Sequence, residues 1–145
     1  MGSSACGRAR VYPAGGGAMN TPWIHALAVA GGAAAGGLLR WRVGVWLAAS
    51  AGAFPLGTLI VNMVGGLAMG ALLAVFERHP QELWRLLLVT GFLGGLTTFS
   101  AFSGESLQLL LRGQWAWAAM HTLLHVLGAL ACAGLGWWLV RLALA

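Results

Sequence analysis

The sequence predicts an all-α membrane protein with four transmembrane helices, of which the third is broken. Of its 145 residues, 59% are apolar and only 8% are charged, whereas a soluble domain carries about 25% charged residues. Four stretches without Asp, Glu, Lys or Arg, of 29, 34, 19 and 28 residues, follow one another along the chain. Since roughly 20 apolar helical residues cross a bilayer, these stretches predict four spans. Too little chain remains for a soluble catalytic domain.

Residues 1–20 are predicted to form a flexible N-terminal extension, and residues 21–145 to form the transmembrane domain. The extension includes Gly-Arg-Ala-Arg and Pro-Ala-Gly-Gly-Gly, which offer too little apolar surface to fold alone. The net charge of +5 comes from eight scattered arginines and three acidic residues. Because they form no basic stripe, nucleic acid is not an expected partner.

The first span is predicted over residues 23–39, with Trp23 and Trp41 at the two membrane interfaces. Residues 43–53 are short, apolar and interrupted by Gly and Ser, which suits an interfacial connector. The second span is predicted over residues 55–76. It begins at a proline, whose missing N–H has no cost at a helix start.

The polar run 77–82 predicts a loop, and residues 83–111 predict the third span. At 29 residues this span is too long for one straight crossing. Its centre, 94–100, reads Gly-Gly-Leu-Thr-Thr-Phe-Ser, which is poor helix material, so a break is predicted there. Residues 112–114 predict a turn, and residues 115–140 the fourth span.

A broken helix in a membrane must face protein or a cavity, because lipid cannot satisfy its backbone groups. Discontinuous helices at mid-membrane are a recurring way to build an ion site. The break therefore predicts an ion site, while a kink filled by a neighbouring helix is the alternative.

Few polar residues lie within the spans, and each requires an explanation. The amide of Asn62 offers two N–H donors to an anion, although an ordinary interhelical hydrogen bond of about 1 kcal/mol is the plainer interpretation. Five further polar residues cluster around the break: Thr97, Thr98, Ser100, Ser103 and Glu105. Their hydroxyls can bond to their own helix, but their density favours an ion site.

Two aromatic residues and two histidines add to this pattern. Phe99 and Phe102 are three residues apart and are expected to point the same way; their positive ring edges suit a small anion, although packing is the plainer role. His121 and His125, with Thr122 between them, predict a polar stripe on the fourth span. Without a third ligand in the sequence pattern, a catalytic zinc site is not predicted.

Three Gly-x-x-x-Gly spacings permit close contact between helices. They are formed by Gly32 and Gly36, by Gly66 and Gly70, and by Gly91 and Gly95. Together they predict a small, tightly packed assembly.

Three segments together resemble the Fluc-type fluoride channels, also called CrcB proteins. The first is Gly-Ala-Ala-Ala-Gly-Gly-Leu-Leu-Arg at 32–40, and the second is Phe-Pro-Leu-Gly-Thr-Leu-Ile-Val-Asn at 54–62, continued by Gly65 and Gly70. The third is Gly-Phe-Leu-Gly-Gly-Leu-Thr-Thr-Phe-Ser at 91–100, continued through Glu105. The resemblance covers residues 21–140.

The resemblance implies a passive fluoride channel in the bacterial inner membrane, built as an antiparallel, dual-topology homodimer around one structural sodium ion. It implies that the backbone carbonyls of Gly94 and Thr97 hold the sodium. The residues that it implies for the fluoride pathway, together with those added from the polar clusters, are Asn62, Phe99, Phe102, Ser100, Thr98, Arg40, Glu105, Thr122 and His125. Two departures from the family pattern are Ala101, where Thr is usual, and the histidines at 121 and 125.

The alternative function is a proton-coupled multidrug antiporter of the small four-helix kind, which also inserts in both orientations. That chemistry requires a titratable carboxylate, normally in the first helix, and this chain has none there. Without the N-terminal extension, the predicted sides of the membrane carry three arginines each (Arg78, Arg85 and Arg141 against Arg40, Arg42 and Arg112). Because Lys/Arg asymmetry sets orientation, this balance predicts insertion both ways. Arg8 and Arg10 would make it five against three.

Overall fold

The computed structural model describes residues 21–48 and 56–144, and all of its regular structure there is helical. Helix α1 is Thr21–Ala48 and α2 is Leu56–Arg78. Helix α3 occupies residues 82–96, α4 is Phe99–Leu111, and α5 occupies residues 115–143. Helices α3 and α4 together form the third span, Glu82–Leu111, and α5 forms the fourth, Trp115–Ala143.

The four predicted spans are confirmed, since four helical segments are long and apolar enough to cross a membrane. The predicted break is confirmed at residues 97–98, between α3 and α4. The predicted loop is shorter than expected and covers residues 79–81. The turn at 112–114 is also confirmed, and Gly113 takes a positive φ of 71° there, which favours glycine.

The predicted start of the connector at residue 43 is wrong, because α1 continues to Ala48. Gly44 lies close to α2, since a Cβ added at Gly57 would stand 3.3 Å from the Gly44 Cα. The glycine that suggested an interruption instead permits a helix contact. The predicted N-terminal extension, the rest of the connector and Pro55 lie outside the described residues.

Glycines bring α1 against α3. A side chain at Gly32 would collide with Leu87 O, and one at Gly36 would collide with Phe92 O. From the other side, a Cβ at Gly91 would approach Val29 O to 2.8 Å. The backbones therefore meet with almost no side chain between them, as small-residue packing in membranes allows.

A second close pair joins α2 to α5. A Cβ at Gly66 would lie 2.6 Å from Ala129 O, and one at Gly70 would collide with Ala133 O. On α5, a side chain at Gly136 would collide with Leu67 O. The Gly-x-x-x-Gly spacings therefore mark two separate interfaces, α1 with α3 and α2 with α5.

Two stretches of the helices are π-helical, and the sequence analysis did not predict them. One is Leu86–Leu93 within α3, and the other is Leu124–Gly128 within α5. A π-turn redirects the side chains that follow it and is frequent at functional sites. The second of these turns carries His125.

Little of the chain is buried, as expected for spans that face lipid. A small apolar core of Val61, Leu93 and Leu96 lies directly before the helix break. Most other large apolar side chains are exposed. Among the described residues, His121 and His125 are the two polar side chains that are buried, and they lie on α5 beside α4.

Candidate ion pathway at the helix break

Two threonines form the break in the third span. Thr97 has φ −82° and ψ 157°, and Thr98 has φ −152° and ψ 119°, so both are extended. Thr98 then caps α4, because its Oγ1 accepts a hydrogen bond from Ala101 N at 3.2 Å. This cap satisfies one of the N–H groups that a helix start leaves unpaired. Threonine caps a helix well but, being β-branched, propagates it poorly, which explains why the break lies at Thr97 and Thr98.

The amide of Asn62 on α2 holds the break from the side. Its Nδ2 donates to Thr98 O at 3.1 Å, and its Oδ1 accepts from Thr98 N at 2.9 Å. Both backbone groups of Thr98 are therefore satisfied by one side chain. One of the two predicted N–H donors is used in this way, and the other is left for a ligand.

Two carbonyls before the break lose their α-helical donors, and a third accepts from a side chain. Thr98 N, the helical donor for Gly94 O, bonds to Asn62 instead, and Ala101 N, the donor for Thr97 O, bonds to Thr98 Oγ1. Gly95 O accepts from Arg40 Nε at 3.1 Å. The side-chain oxygens of Asn62 and Thr98 therefore accept from these two N–H groups, and the carbonyl oxygens of Gly94 and Thr97 are freed.

A cavity of about 360 Å³ opens beside the break. It is lined by five of the predicted pathway residues and by residues of α2 and α5 that pack around them. The predicted residues are Asn62, Thr98, Phe99, Phe102 and His125. Residues that are scattered over 64 positions of the sequence therefore meet at one place, beside the freed carbonyls.

Phe99 and Phe102 contact each other but differ in burial. Their ring centroids are 5.3 Å apart and the rings are tilted by 56°. Phe99 is 77% exposed, whereas Phe102 is 8% exposed. Phe102 packs against the rings of both buried histidines, at 5.5 Å and 4.8 Å. The expectation of a common direction is therefore met only in part, because one ring faces outward.

Glu105 connects α2, α4 and α5 behind Phe102. Thr58 Oγ1 donates to its Oε1 at 2.5 Å, and its Oε2 lies 3.4 Å from His121 Nε2. The other ring nitrogen of His121, Nδ1, lies 3.0 Å from Ser106 Oγ. Thr58, Glu105, His121 and Ser106 thus form a chain of polar contacts that links the three helices.

His125 completes the cluster from the π-turn of α5. Its Nδ1 lies 3.0 Å from the carbonyl oxygen of His121, and the two imidazole centroids are 4.2 Å apart. Among the described residues, its Nε2 is buried without a hydrogen-bond partner. One ligand atom from each of Glu105, His121 and His125 lies within 4.8 Å of the other two.

Three predicted pathway residues besides Glu105 do not line the cavity. Arg40 on α1 bonds to the end of α3, as described above. Ser100 is exposed, with its Oγ 3.2 Å from Thr98 Oγ1. Thr122 is exposed as well, and its hydroxyl donates to Ala118 O at 2.9 Å. The histidines are buried while Thr122 is not, so the three do not form one stripe.

Two polar residues of the site were missed by the sequence analysis. Thr58 is four residues before Asn62 and lies on the same face of α2, which was the available signal. Ser106 directly follows Glu105, but nothing in the sequence indicated that it bonds to a histidine of the next helix. The link between Glu105 and His121 was also missed, because it depends on how α4 packs on α5.

Comparison with known proteins agrees with this architecture. Residues 27–137 match the family model described as CrcB-like protein, Camphor Resistance (CrcB). A relative from Cupriavidus taiwanensis named fluoride-specific ion channel FluC is 50% identical over 119 residues, covering 80% of this chain and 94% of the relative. Relatives of the same name from Aromatoleum aromaticum and Pseudomonas aeruginosa are 50% and 48% identical, covering 77% and 79% of this chain and 86% and 91% of those relatives. The chain is a multi-pass membrane protein of the CrcB family.

Proposed function

We propose that the protein is a fluoride-selective channel that lets fluoride leave the cytoplasm by passive electrodiffusion. The observation that carries the proposal is the cavity at the helix break, where Asn62, Phe99 and Phe102 meet. Relatives at about 50% identity are named fluoride-specific ion channels. Because those relatives are bacterial, we place the channel in the inner membrane of a bacterium, where it lowers the toxicity of intracellular fluoride.

The cavity offers the chemistry that a small, strongly hydrated anion needs. The remaining N–H of Asn62, the hydroxyl of Thr98 and the positive edges of the two phenyl rings replace water of hydration. None of these groups carries a full positive charge. Binding is therefore favourable enough for fluoride to enter and weak enough for it to leave, as conduction requires.

The freed carbonyls of Gly94 and Thr97 fit a structural sodium ion. Both oxygens have lost their helical donors to Asn62 and to the Thr98 hydroxyl, and unsatisfied carbonyls are costly inside a membrane. Carbonyl oxygens are hard ligands, which suit an alkali cation better than a transition metal. Sodium would supply a fixed positive charge that offsets part of the cost of bringing an anion into the bilayer.

An antiparallel, dual-topology homodimer would complete both sites. Gly94, with its freed carbonyl, and Phe99, whose ring is part of the proposed pathway, are both exposed on the single chain. A second copy related by a two-fold axis in the membrane would cover both and bring four carbonyl oxygens together. The equal arginine counts on the two predicted sides support insertion in both orientations.

Fluoride efflux from proteoliposomes tests the function. Vesicles loaded with potassium fluoride and given valinomycin should release fluoride, measured with an ion-selective electrode, without any proton gradient. Vesicles loaded with potassium chloride are the matched control and should release almost no anion. Transport of organic cations driven by a pH gradient, without fluoride release, would instead favour the antiporter. Helix α1 contains no acidic residue, which argues against that alternative.

The sodium proposal has a separate test. Protein that is purified and reconstituted with N-methylglucamine in place of sodium throughout should show strongly reduced fluoride release. Readdition of sodium during assembly should restore the release, whereas potassium should not. Full activity in rigorously sodium-free protein would refute the site while leaving the fluoride function intact.

A further inference from the structure

We propose that Glu105, His121 and His125 form a binding site for a divalent transition-metal ion, of which zinc is the best fit. The three side chains meet between α4 and α5, behind Phe102. One nitrogen or oxygen from each lies within 4.8 Å of the others. Two histidines and one carboxylate are a common ligand set for zinc with an open fourth position.

The hydrogen bonds of His125 orient it as a ligand. Its Nδ1 lies 3.0 Å from a backbone carbonyl, which can only accept, so Nδ1 carries the proton. In the neutral ring, Nε2 then presents a lone pair. The side chain is 5% exposed, and no described residue bonds to this Nε2. A buried lone pair that no described side chain or backbone group uses is available to a metal ion.

Glu105 and His121 are held by outer partners in the same manner. Thr58 donates to Oε1 of Glu105 and leaves Oε2 for the cluster. Ser106 Oγ lies 3.0 Å from Nδ1 of His121. When the serine oxygen accepts, Nδ1 carries the proton, and Nε2, which lies 3.4 Å from Oε2 of Glu105, presents its lone pair. Metal-binding histidines usually donate their other N–H in this way.

The spacing agrees with tetrahedral coordination. Ligands about 2.0–2.1 Å from a tetrahedral zinc lie roughly 3.3 Å from each other, and Glu105 Oε2 is 3.4 Å from His121 Nε2. The cavity at the break reaches His125, which provides a route for entry and space for a fourth ligand.

With Ser106 Oγ accepting from Nδ1 of His121, the ligand atoms of Glu105, His121 and His125 are all acceptors, and a cation between them would relieve their repulsion. A shared proton is the rival occupant, and it predicts no metal binding. Imidazole nitrogen favours zinc and its neighbours in the transition series over magnesium or calcium, which prefer oxygen. The selectivity of binding therefore distinguishes the two occupants.

Cobalt(II) absorption tests the site directly, without any measurement of transport. The full chain in detergent is titrated with Co²⁺ alone, and visible bands typical of four-coordinate cobalt should reach their limit at about one ion per chain. Zinc should displace the cobalt, and magnesium should not. Wild-type protein without these bands, or displacement by magnesium at equal concentration, would overturn the proposal and leave only a shared proton.

Variants assign the bands to these residues. His125→Gln and Glu105→Gln should each weaken cobalt binding by more than about 100-fold, since even outer-partner changes weaken metal binding by about 10- to 100-fold. Ser106→Ala, which keeps all three ligands, should weaken it by about tenfold. His79→Gln, in the exposed loop, is the matched control and should bind as wild type does. Unchanged binding in well-folded His125→Gln or Ser106→Ala protein would overturn the assignment.

The site also has a consequence for transport, and this consequence rests on the proposed function. A bound cation beside Phe102 should hold fluoride too tightly for conduction, so micromolar zinc should slow fluoride release from vesicles, and Ser106→Ala should raise the zinc concentration that is needed. A protein that binds cobalt but never conducts fluoride would keep the metal site and refute the channel. If the protein binds cobalt but zinc does not slow its fluoride release, the site does not lie in the pathway.

Discussion

At the scale of single residues, Asn62 has two roles that its position on α2 makes compatible. Its amide satisfies both backbone groups of Thr98 and so keeps the break open. Asn62 also lines the cavity, and one N–H of its amide is not used by Thr98. In the proposed channel Asn62 both shapes the break and contacts the ion, so it should tolerate little substitution.

Asn62→Asp should abolish fluoride release. The carboxylate retains an acceptor for Thr98 N but places a negative charge beside Thr98 O and in the path of the anion. Two unit charges 4 Å apart repel by about 4 kcal/mol at an effective dielectric constant of about 20, so flux should fall by at least about 100-fold.

The same amide-to-acid change at Gln114, in the exposed turn before α5, is the control and should leave flux unchanged. Gel filtration should confirm that both variants remain folded. Normal fluoride release by the Asn62→Asp protein would exclude Asn62 from the pathway.

Phe99→Leu and Phe102→Leu should both reduce flux by about tenfold or more, because leucine keeps apolar bulk but lacks a positive ring edge. Their stabilities should differ. Phe102→Leu removes contacts with two imidazole rings and should cost about 0.5–1.5 kcal/mol, whereas the exposed Phe99 ring has little to lose within one chain.

Thermal unfolding monitored by gel filtration measures the stability difference, and electrode traces measure flux. Phe76→Leu, at the far end of α2, is the control and should conduct normally. If both pathway variants conduct like wild type, the rings serve only packing.

At the scale of elements, the glycine contacts explain how four spans pack into a small bundle. Helix α1 meets α3 and α2 meets α5 at backbone distance, so dispersion forces act along the whole contact. On α1, Gly36 packs against α3, whereas its neighbour Gly37 lies beside open space. This difference allows a matched comparison.

Gly36→Ala should destabilise the protein, whereas Gly37→Ala should not. A methyl group at Gly36 would collide with Phe92 O, and one at Gly37 would meet nothing within 4 Å. Overpacking of this kind costs about 1–3 kcal/mol. The midpoint of thermal unfolding in detergent should fall for Gly36→Ala only. Equal midpoints for the two variants would contradict the α1–α3 contact.

The elements could largely be predicted from the sequence, and their contacts could not. Hydropathy and the Gly-Gly-Leu-Thr-Thr run were sufficient for the spans and the break, because both follow from local composition. Gly44 misled the prediction, because a glycine that permits a helix contact resembles one that ends a helix. The bonds from Thr58 to Glu105 and from His121 to Ser106 join residues far apart in the chain, so only packing reveals them.

At the scale of the whole molecule, the even distribution of arginine around the spans bears on orientation. Arg40 and Arg112 belong to one predicted side, and Arg78 and Arg141 to the other. Arg78 donates a hydrogen bond to Leu144 O, and Arg141 forms an ion pair with Glu77. Outside residues 1–20 neither side carries more arginines than the other, so a few added charges should decide how the chain inserts.

The double change His79→Arg/Gln81→Arg should bias insertion towards one orientation, and Arg85→Gln/Gln114→Arg should bias it towards the other. If the active form is an antiparallel dimer, each variant alone should give little fluoride release and co-expression should restore it. Accessibility of a cysteine added at the C-terminus measures orientation. Full flux from one variant with a single orientation would contradict the antiparallel dimer.

The interleaved helix pairs also constrain the order in which the protein can assemble. The closest glycine contacts, those at the Gly-x-x-x-Gly spacings, join spans that are separated by another span, α1 with the third and α2 with the fourth. When the ribosome has delivered the first two spans, neither has its partner. The first contact waits for α3, and the second waits until residue 136 has entered the membrane. A chain that ends anywhere before α5 should therefore leave the glycine face of α2 uncovered.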